Sequence, residues 1–415
     1  MDTAIAFPAN PAPAPIDLPR AYETPPLEMQ LEIVFKLSER CNLNCDYCYF
    51  FHAGDETWKQ HPPTASVEVF QDVLRFAVDA SRQYGIRHVS IIFHGGEPLL
   101  IKKSRFAEMC RALRAQEHVD LRFDIRLQTN ATLIDDEWVA LFCEYGVKVG
   151  VSLDGPRDIN DAHRLDMAGN SSYDATVRGL KALQAAADAG RLRQPGVICV
   201  ADGKIDGARV YRHFVDDLEL KSISLLTPDF THDTAPDDEA IAGVTNFLMG
   251  ALAEWLRDDD ATIRVRLFSE VLQVLLDDDR AQRALARHQD LRHIVSVSSN
   301  GELGPEDTLR TTHLRFSSMG LNVRTHGLGD VLSSPVWAEL TAASQTIPAG
   351  CRGCEWWACC KGGRLINRYA SQNGFGNPSL YCGALQELYS AIGASLIRSG
   401  VPAMAIFQRL GIAHA

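Results

Sequence analysis

At 415 residues the chain can bury enough surface for two or three packed units. Its 46% hydrophobic and 23% charged content excludes a disordered or fibrous protein. A formal charge of −12 speaks against a nucleic-acid partner, and no run of 18 apolar residues or signal peptide is visible. A cytoplasmic protein with no membrane partner is expected.

Residues 1–30 are rich in Pro and Ala and read as an extended arm. A first strand, Leu31–Leu37, runs straight into Cys41-Asn42-Leu43-Asn44-Cys45-Asp46-Tyr47-Cys48. From there helices alternate with strands. Helices are expected at about Thr64–Tyr84, Ser104–Gln116, Asp135–Tyr145, Tyr173–Ala187 and Ile205–Leu218. Strands are expected at His88–Phe93, Arg122–Gln128, Val147–Leu153, Gly196–Val200 and Ser222–Leu226. Strict alternation means parallel pairing, so residues 31–235 read as an α/β partial (β/α)6 TIM-like barrel. Residues 236–290 read as a helical bridge, with segments Thr245–Leu256 and Glu270–Leu276. The acidic runs Asp258–Asp260 and Asp277–Asp279 are read as solvated helix ends or turns. A hairpin follows, Ile294–Val297 and Glu302–Leu303 around Ser299-Asn300-Gly301. It opens a small cysteine-bearing domain over 291–390, and a last helix, Ala384–Arg398, leads into a tail over 391–415.

The chemistry sits where the expected strands end. Ligands bind at the carboxyl ends of strands in parallel barrels. The ends here carry the cysteine loop, then His94-Gly95-Gly96-Glu97-Pro98, Gln128-Thr129-Asn130, Ser152-Leu153-Asp154-Gly155-Pro156, Asp202 and Thr227-Pro228-Asp229. Six polar clusters at six such ends make one shared site. The eleven cysteines are mostly grouped, over 41–48 and 351–382, which reads as metal binding in a reducing compartment rather than as a disulfide framework. Three thiolates spaced C-x3-C-x2-C can hold a four-iron cluster and leave one iron open; a zinc knuckle completed by His52 is the bland alternative. Cys351, Cys354, Cys360 and Cys382 supply four thiolates, which close a site as a second cluster or as structural zinc. Cys359 competes with Cys360, which is preferred for its five-residue spacing from Cys354 and the Gly362-Gly363 that follows. Cys110, Cys143 and Cys199 read as buried structural thiols.

The cysteine loop with Tyr47 before its third cysteine, followed one helix and one strand later by Gly-Gly-Glu-Pro, strongly resembles the radical S-adenosylmethionine (SAM) enzymes. The resemblance implies that Cys41, Cys45 and Cys48 hold a [4Fe-4S] cluster whose free iron is chelated by SAM. It implies that Gly95, Gly96, Glu97 and Pro98 meet the amino group of the SAM methionine, with Glu97 accepting from the ammonium. Gln128, Thr129, Asn130 and Ser152 would line the pocket, Ser152 and Arg164 being partners for the carboxylate or ribose and Tyr47 packing near the adenine. The second cysteine group is similar to the distal part of a SPASM-type C-terminal domain of peptide-modifying members. That domain typically holds two auxiliary clusters, whereas this chain has thiols for one auxiliary [4Fe-4S] cluster. The hairpin carries Ser298, Asn300 and Asp307 where further ligands would lie, and Arg364 stands at another such position. Phrases in the tail resemble maturases of ribosomally made peptides, closest to those that form cyclophanes by joining an aromatic ring to a neighbouring β-carbon. The implied partners are a precursor peptide and an electron donor such as flavodoxin or ferredoxin. A 5′-deoxyadenosyl radical would remove a β-hydrogen, and rearomatisation would need a carboxylate base, for which Asp307, Glu306 and Asp229 are the candidates. Formylglycine-generating sulfatase maturation, thioether formation and a non-catalytic Fe–S or zinc scaffold are the alternatives.

Overall fold

β1 (Gln30–Ser38) sets the pattern in the computed structural model, which describes residues 30–276 and 294–412. Leu31, Ile33, Phe35 and Leu37 lie on one face and are buried against helices. Lys36 and Ser38, on the other face, are also buried, so both faces of the strand are covered at its carboxyl end. β2 (His88–Gly95), β3 (Arg122–Thr129), β4 (Lys148–Ser152), β5 (Gly196–Val200) and β6 (Ser222–Leu226) follow in chain order, each parallel to the one before. The six expected strands are therefore adjacent in a partial α/β barrel.

The connecting helices start and stop where the sequence caps them. Ser66 accepts a hydrogen bond from the Val69 amide to open the helix Val67–Tyr84, and Gly85 closes it in the left-handed conformation. Asp135 and Gly146 do the same for Asp136–Tyr145. Four features depart from the expected pattern. A short helix, Arg157–His163, follows β4. The helix expected over 205–218 is α-helical only at Gly207–Arg212 and then widens into a π-turn, His213–Asp217. The tail folds as a further helix, Ala403–Leu410. The bridge helices run longer than expected, Asp238–Asp258 and Arg266–Leu276.

The largest difference concerns the hairpin. β8 (Ile294–Val297) pairs parallel to β1, and β9 (Glu302–Gly304) and β10 (Leu321–Asn322) extend the sheet antiparallel beyond it. With β7 (Arg264–Val265) on the far edge beside β6, the sheet has ten strands in the order β10-β9-β8-β1-β2-β3-β4-β5-β6-β7. A boundary at 291 would therefore cut away strands that hydrogen-bond to the barrel. The sequence located β8 and β9 but not β7 or β10, and the edge of β1 that captures β8 is not a local property. Residues 1–29 of the arm expected over 1–30 and the acidic run Asp277–Asp279 lie outside the described residues, and Gln30 already belongs to β1. Asp258 does sit at a helix end, where its carboxylate accepts from Tyr211 Oη–H at 2.9 Å and pairs with Arg212.

Candidate radical SAM site

The cysteine loop is held by the glycine motif. β1 bulges between Lys36 and Ser38, opposite His94 and Gly95. Beyond the bulge, Gly96 N–H donates to Ser38 O and Glu97 N–H to Arg40 O, both at 2.8 Å, so the glycine segment is strapped to the residues that lead into Cys41. A Cβ on Gly95 would lie 2.1 Å from Ser38 O, and one on Gly96 would lie 2.3 Å from Arg40 O. Only glycine permits that approach. Gly96→Ala is accordingly expected to cost about 1–3 kcal/mol by overpacking and to weaken SAM binding, measured by thermal unfolding and by SAM titration.

On its other side the loop is tied to β3 and to the short helix after β4. Asn130 Nδ2–H donates to Asn42 Oδ1 at 2.9 Å and approaches Cys41 Sγ at 3.9 Å. Asn42 Nδ2–H donates to Thr132 Oγ1 at 2.8 Å, and Asn44 N–H to Leu165 O at 2.8 Å. Burial pushes the Cys41 thiol up to about 12 and also raises Cys45 and Cys48, the last two eased by Arg164. Buried thiols that resist ionisation need a bound cation to become thiolates, which suits an iron centre. Among the described residues no three His, Cys, Asp or Glu side chains converge as a single-ion site requires. His52 is engaged with Asn44 Oδ1 at 3.1 Å. Three thiols on one loop beside the glycine cradle are the donor set that a four-iron cluster with one open iron requires.

The Glu97 carboxylate is buried and accepts from Leu99 N–H and Thr129 Oγ1–H on Oε1 and from Asn130 N–H on Oε2, at 3.0, 2.7 and 2.9 Å. It joins the ends of β2 and β3. Burial raises its pKa against those hydrogen bonds. Pro98, also buried, starts the 3₁₀ turn that Glu97 caps. Gln128 Nε2–H donates to Ser152 Oγ at 2.8 Å, pairing the two pocket residues expected on β3 and β4. Tyr47 Oη–H donates to Asp154 Oδ2 at 2.5 Å and accepts from Arg164 Nη1–H at 2.8 Å. Arg164 therefore anchors the aromatic residue of the loop, a role not read from its sequence position.

The three carboxylates named as bases are separated by their surroundings. Asp229 pairs with Arg364, Nη2 to Oδ1 at 2.7 Å, while Arg364 Nη1–H also donates to Thr227 O at 3.0 Å. Glu306 turns back on Thr308 and caps its own 3₁₀ turn. Asp307 lies in a buried cluster: its Oδ2 accepts from Lys36 and from Tyr49, one residue past Cys48. Its Oδ1 has no hydrogen-bond partner among the described residues, with Arg310 Nε 3.7 Å away as an ion pair. Burial pushes the Asp307 carboxyl up, but the Lys36 and Arg310 cations outweigh it and hold it well below the usual carboxylate range. Sequence reading missed Lys36, Tyr49 and Arg310, and placed His94 and Asp154 at strand ends without giving either a role. A lysine amid the apolar alternation of β1 was the signal for the first.

In the C-terminal part, Cys351, Cys354, Cys360 and Cys382 line one cavity beside Trp356 and Trp357. Cys359 is buried in the hydrophobic core and does not line it. Four thiols on one cavity fit a closed cluster. Cys110 and Cys199 are fully buried, and Cys143 is half-buried.

Residues 35–188 match the family model described as the radical SAM superfamily. The cysteine-type anaerobic sulfatase-maturating enzyme of Clostridium perfringens is 23% identical over 88% of this chain and 96% of its own length. The serine-type enzyme of Klebsiella aerogenes is 39% identical over 34% of each chain. The solved structure of native anSMEcpe with bound AdoMet superposes with a TM-score of 0.75 at 21% identity, over 89% of this chain and 99% of that one. Streptococcus suis SuiB bound to its precursor peptide SuiA gives 0.56 at 17% identity, over 86% and 76%. No described helix is long and apolar enough to cross a membrane. Cysteine loop and glycine strap both lie within residues 35–188, the part of the chain that is similar to the radical SAM superfamily.

Proposed function

We propose that the chain is a peptide maturase that removes a hydrogen from the β-carbon of a residue in a ribosomally made peptide and joins that carbon to a nearby aromatic ring. The observation that carries this reading is the placement of Asp307, bonded to Tyr49 directly after Cys48, which sets a proton acceptor beside the cluster loop. SAM bound at the Cys41/Cys45/Cys48 cluster would supply the hydrogen-abstracting carbon radical, and Cys351, Cys354, Cys360 and Cys382 would hold an auxiliary cluster able to take up the surplus electron. The chain's own residues do the rest. Gly95 and Gly96 fix the loop, Gln128, Ser152, Thr129 and Asn130 shape the pocket, and buried Asp307 takes the ring proton at Oδ1 while Lys36 and Tyr49 hold Oδ2. The apolar barrel wall keeps water from the radical.

Formylglycine formation is the second reading, supported by a sulfatase-maturating relative aligned over 96% of its length. The small cysteine set of the C-terminal part counts against it. Co-expression with candidate short peptides encoded in neighbouring open reading frames separates the two. Tandem mass spectrometry should show loss of two hydrogens, no fragmentation inside a ring and no reaction with a hydrazide. A hydrazide-reactive aldehyde would replace the crosslink reading with formylglycine, and an unmodified peptide would reject both. Reconstituted Cys360→Ser should lose one cluster's iron, whereas Cys359→Ser should keep it, as read by iron content and absorbance; the reverse would move the ligand to Cys359.

A further inference from the structure

We propose that Lys36 and His94 form the exit path for the proton that Asp307 accepts, Lys36 passing a proton to His94 Nδ1 and then recovering one from Asp307. The proposal rests on the reading of Asp307 as the proton acceptor. Lys36 and His94 stand opposite each other in the β1–β2 register, and Lys36 Nζ is 3.3 Å from His94 Nδ1. The same Nζ donates to Asp307 Oδ2. Lys36 is 0% exposed and Asp307 5%, so neither can release a proton directly to water, whereas His94 is only half-buried and is the outermost of the three.

The remaining neighbours leave this direction open. Arg310 pairs with Asp55, Nε to Oδ2 at 3.4 Å, and stays charged, because guanidinium does not give up its proton in proteins. Glu39 faces Lys36 only at longer range and is bonded to Ser299 N–H at 2.9 Å. Tyr49 Oη lies 3.4 Å from Lys36 Nζ and already donates to Asp307. Among the described residues the hydrogen-bond partner of the His94 ring is Lys36, not a carboxylate. Burial, and then the Lys36 cation, hold its imidazole at about 3, so it rests neutral with Nδ1 able to accept.

The proton count closes without an outside reagent. A proton reaching Asp307 Oδ1 removes the counterion of Lys36. The ammonium gives a proton to His94, forming imidazolium and a neutral amine. The amine takes the proton from Asp307, and imidazolium releases its own to water. Asp307 and Lys36 end in their starting forms. Lys36 and His94 are positioning residues, since they act through Asp307.

Two measurements test the path. In holoenzyme with oxidised clusters and ring-labelled histidine, the His94 resonance should not titrate above about pH 5 in wild type, and its midpoint should rise in Lys36→Met. A wild-type midpoint near the ordinary value, or no change in the variant, overturns the link. With the co-expressed peptide as substrate, His94→Gln and Lys36→Arg should lower product formed per 5′-deoxyadenosine by about a hundredfold or more, the lower end of a proton-transfer contribution. Arginine keeps the charge but cannot pass a proton, and His94→Gln decides alone should buried arginine prevent folding. An unchanged ratio in His94→Gln defeats the relay. A wild-type enzyme that leaves the peptide unmodified defeats the maturase reading instead, and the histidine titration still judges the link.

Discussion

Cys45→Ala is expected to abolish 5′-deoxyadenosine formation while leaving the auxiliary cluster in place. The loss should exceed the about 10–100-fold typical of removing only an outer partner of a metal ligand. Cys45 is buried in a loop pinned on one side by the Gly96 and Glu97 amides and on the other by Asn130 and Leu165. The loop should keep its shape without the thiol, so the variant should fold and bind roughly half the wild-type iron. Iron analysis, absorbance and chromatography of 5′-deoxyadenosine read the three quantities together. Undiminished SAM cleavage would refute the assignment of the loop.

Asp307→Asn should give the other large effect, and of a different kind. Product should fall by about 10²–10⁴-fold, the usual contribution of a positioned acid or base, while 5′-deoxyadenosine continues to form. Equal loss of both would assign Asp307 to structure rather than proton transfer. The variant also leaves Lys36 buried without its counterion, which costs about 3–5 kcal/mol for a broken buried pair. The sign with pH follows from the lowered carboxyl. In the folded protein Asp307 ionises below its unfolded range, so its contribution is full above the unfolded value of about 3.9. That contribution is lost as pH falls from there toward the folded value. The stability gap between wild type and Asp307→Asn should be widest near neutrality and shrink below about pH 4, as thermal unfolding across pH would show. A gap that widens in acid would contradict the Lys36–Asp307 pairing.

The two variants probe links of unequal legibility. Cys41, Cys45 and Cys48 announce themselves by spacing, because a cluster held from one loop needs its ligands close in sequence. The six barrel strands are equally plain, since β1 to β6 each carry their own apolar run and pair in chain order. Asp307 could be named from sequence only as one of three carboxylates. Choosing among them takes the neighbours: Arg364 claims Asp229, Thr308 claims Glu306, and Lys36 with Tyr49 holds Asp307. Glu97 is a motif residue whose hydrogen bonds to Thr129 and Asn130 form only once β3 is beside it.

Local order in the chain therefore determined the α/β barrel, the cysteine loop, the glycine strap and the thiols of a second centre, since each depends on residues near one another in sequence. Tertiary structure decided that the hairpin after residue 293 joins β1, that Cys360 and not Cys359 faces the cavity, and that Lys36 meets an aspartate 271 positions away. Those outcomes depend on which buried charge finds a counterion and which strand edge finds a partner. Both are settled only when distant segments are packed together and water is excluded.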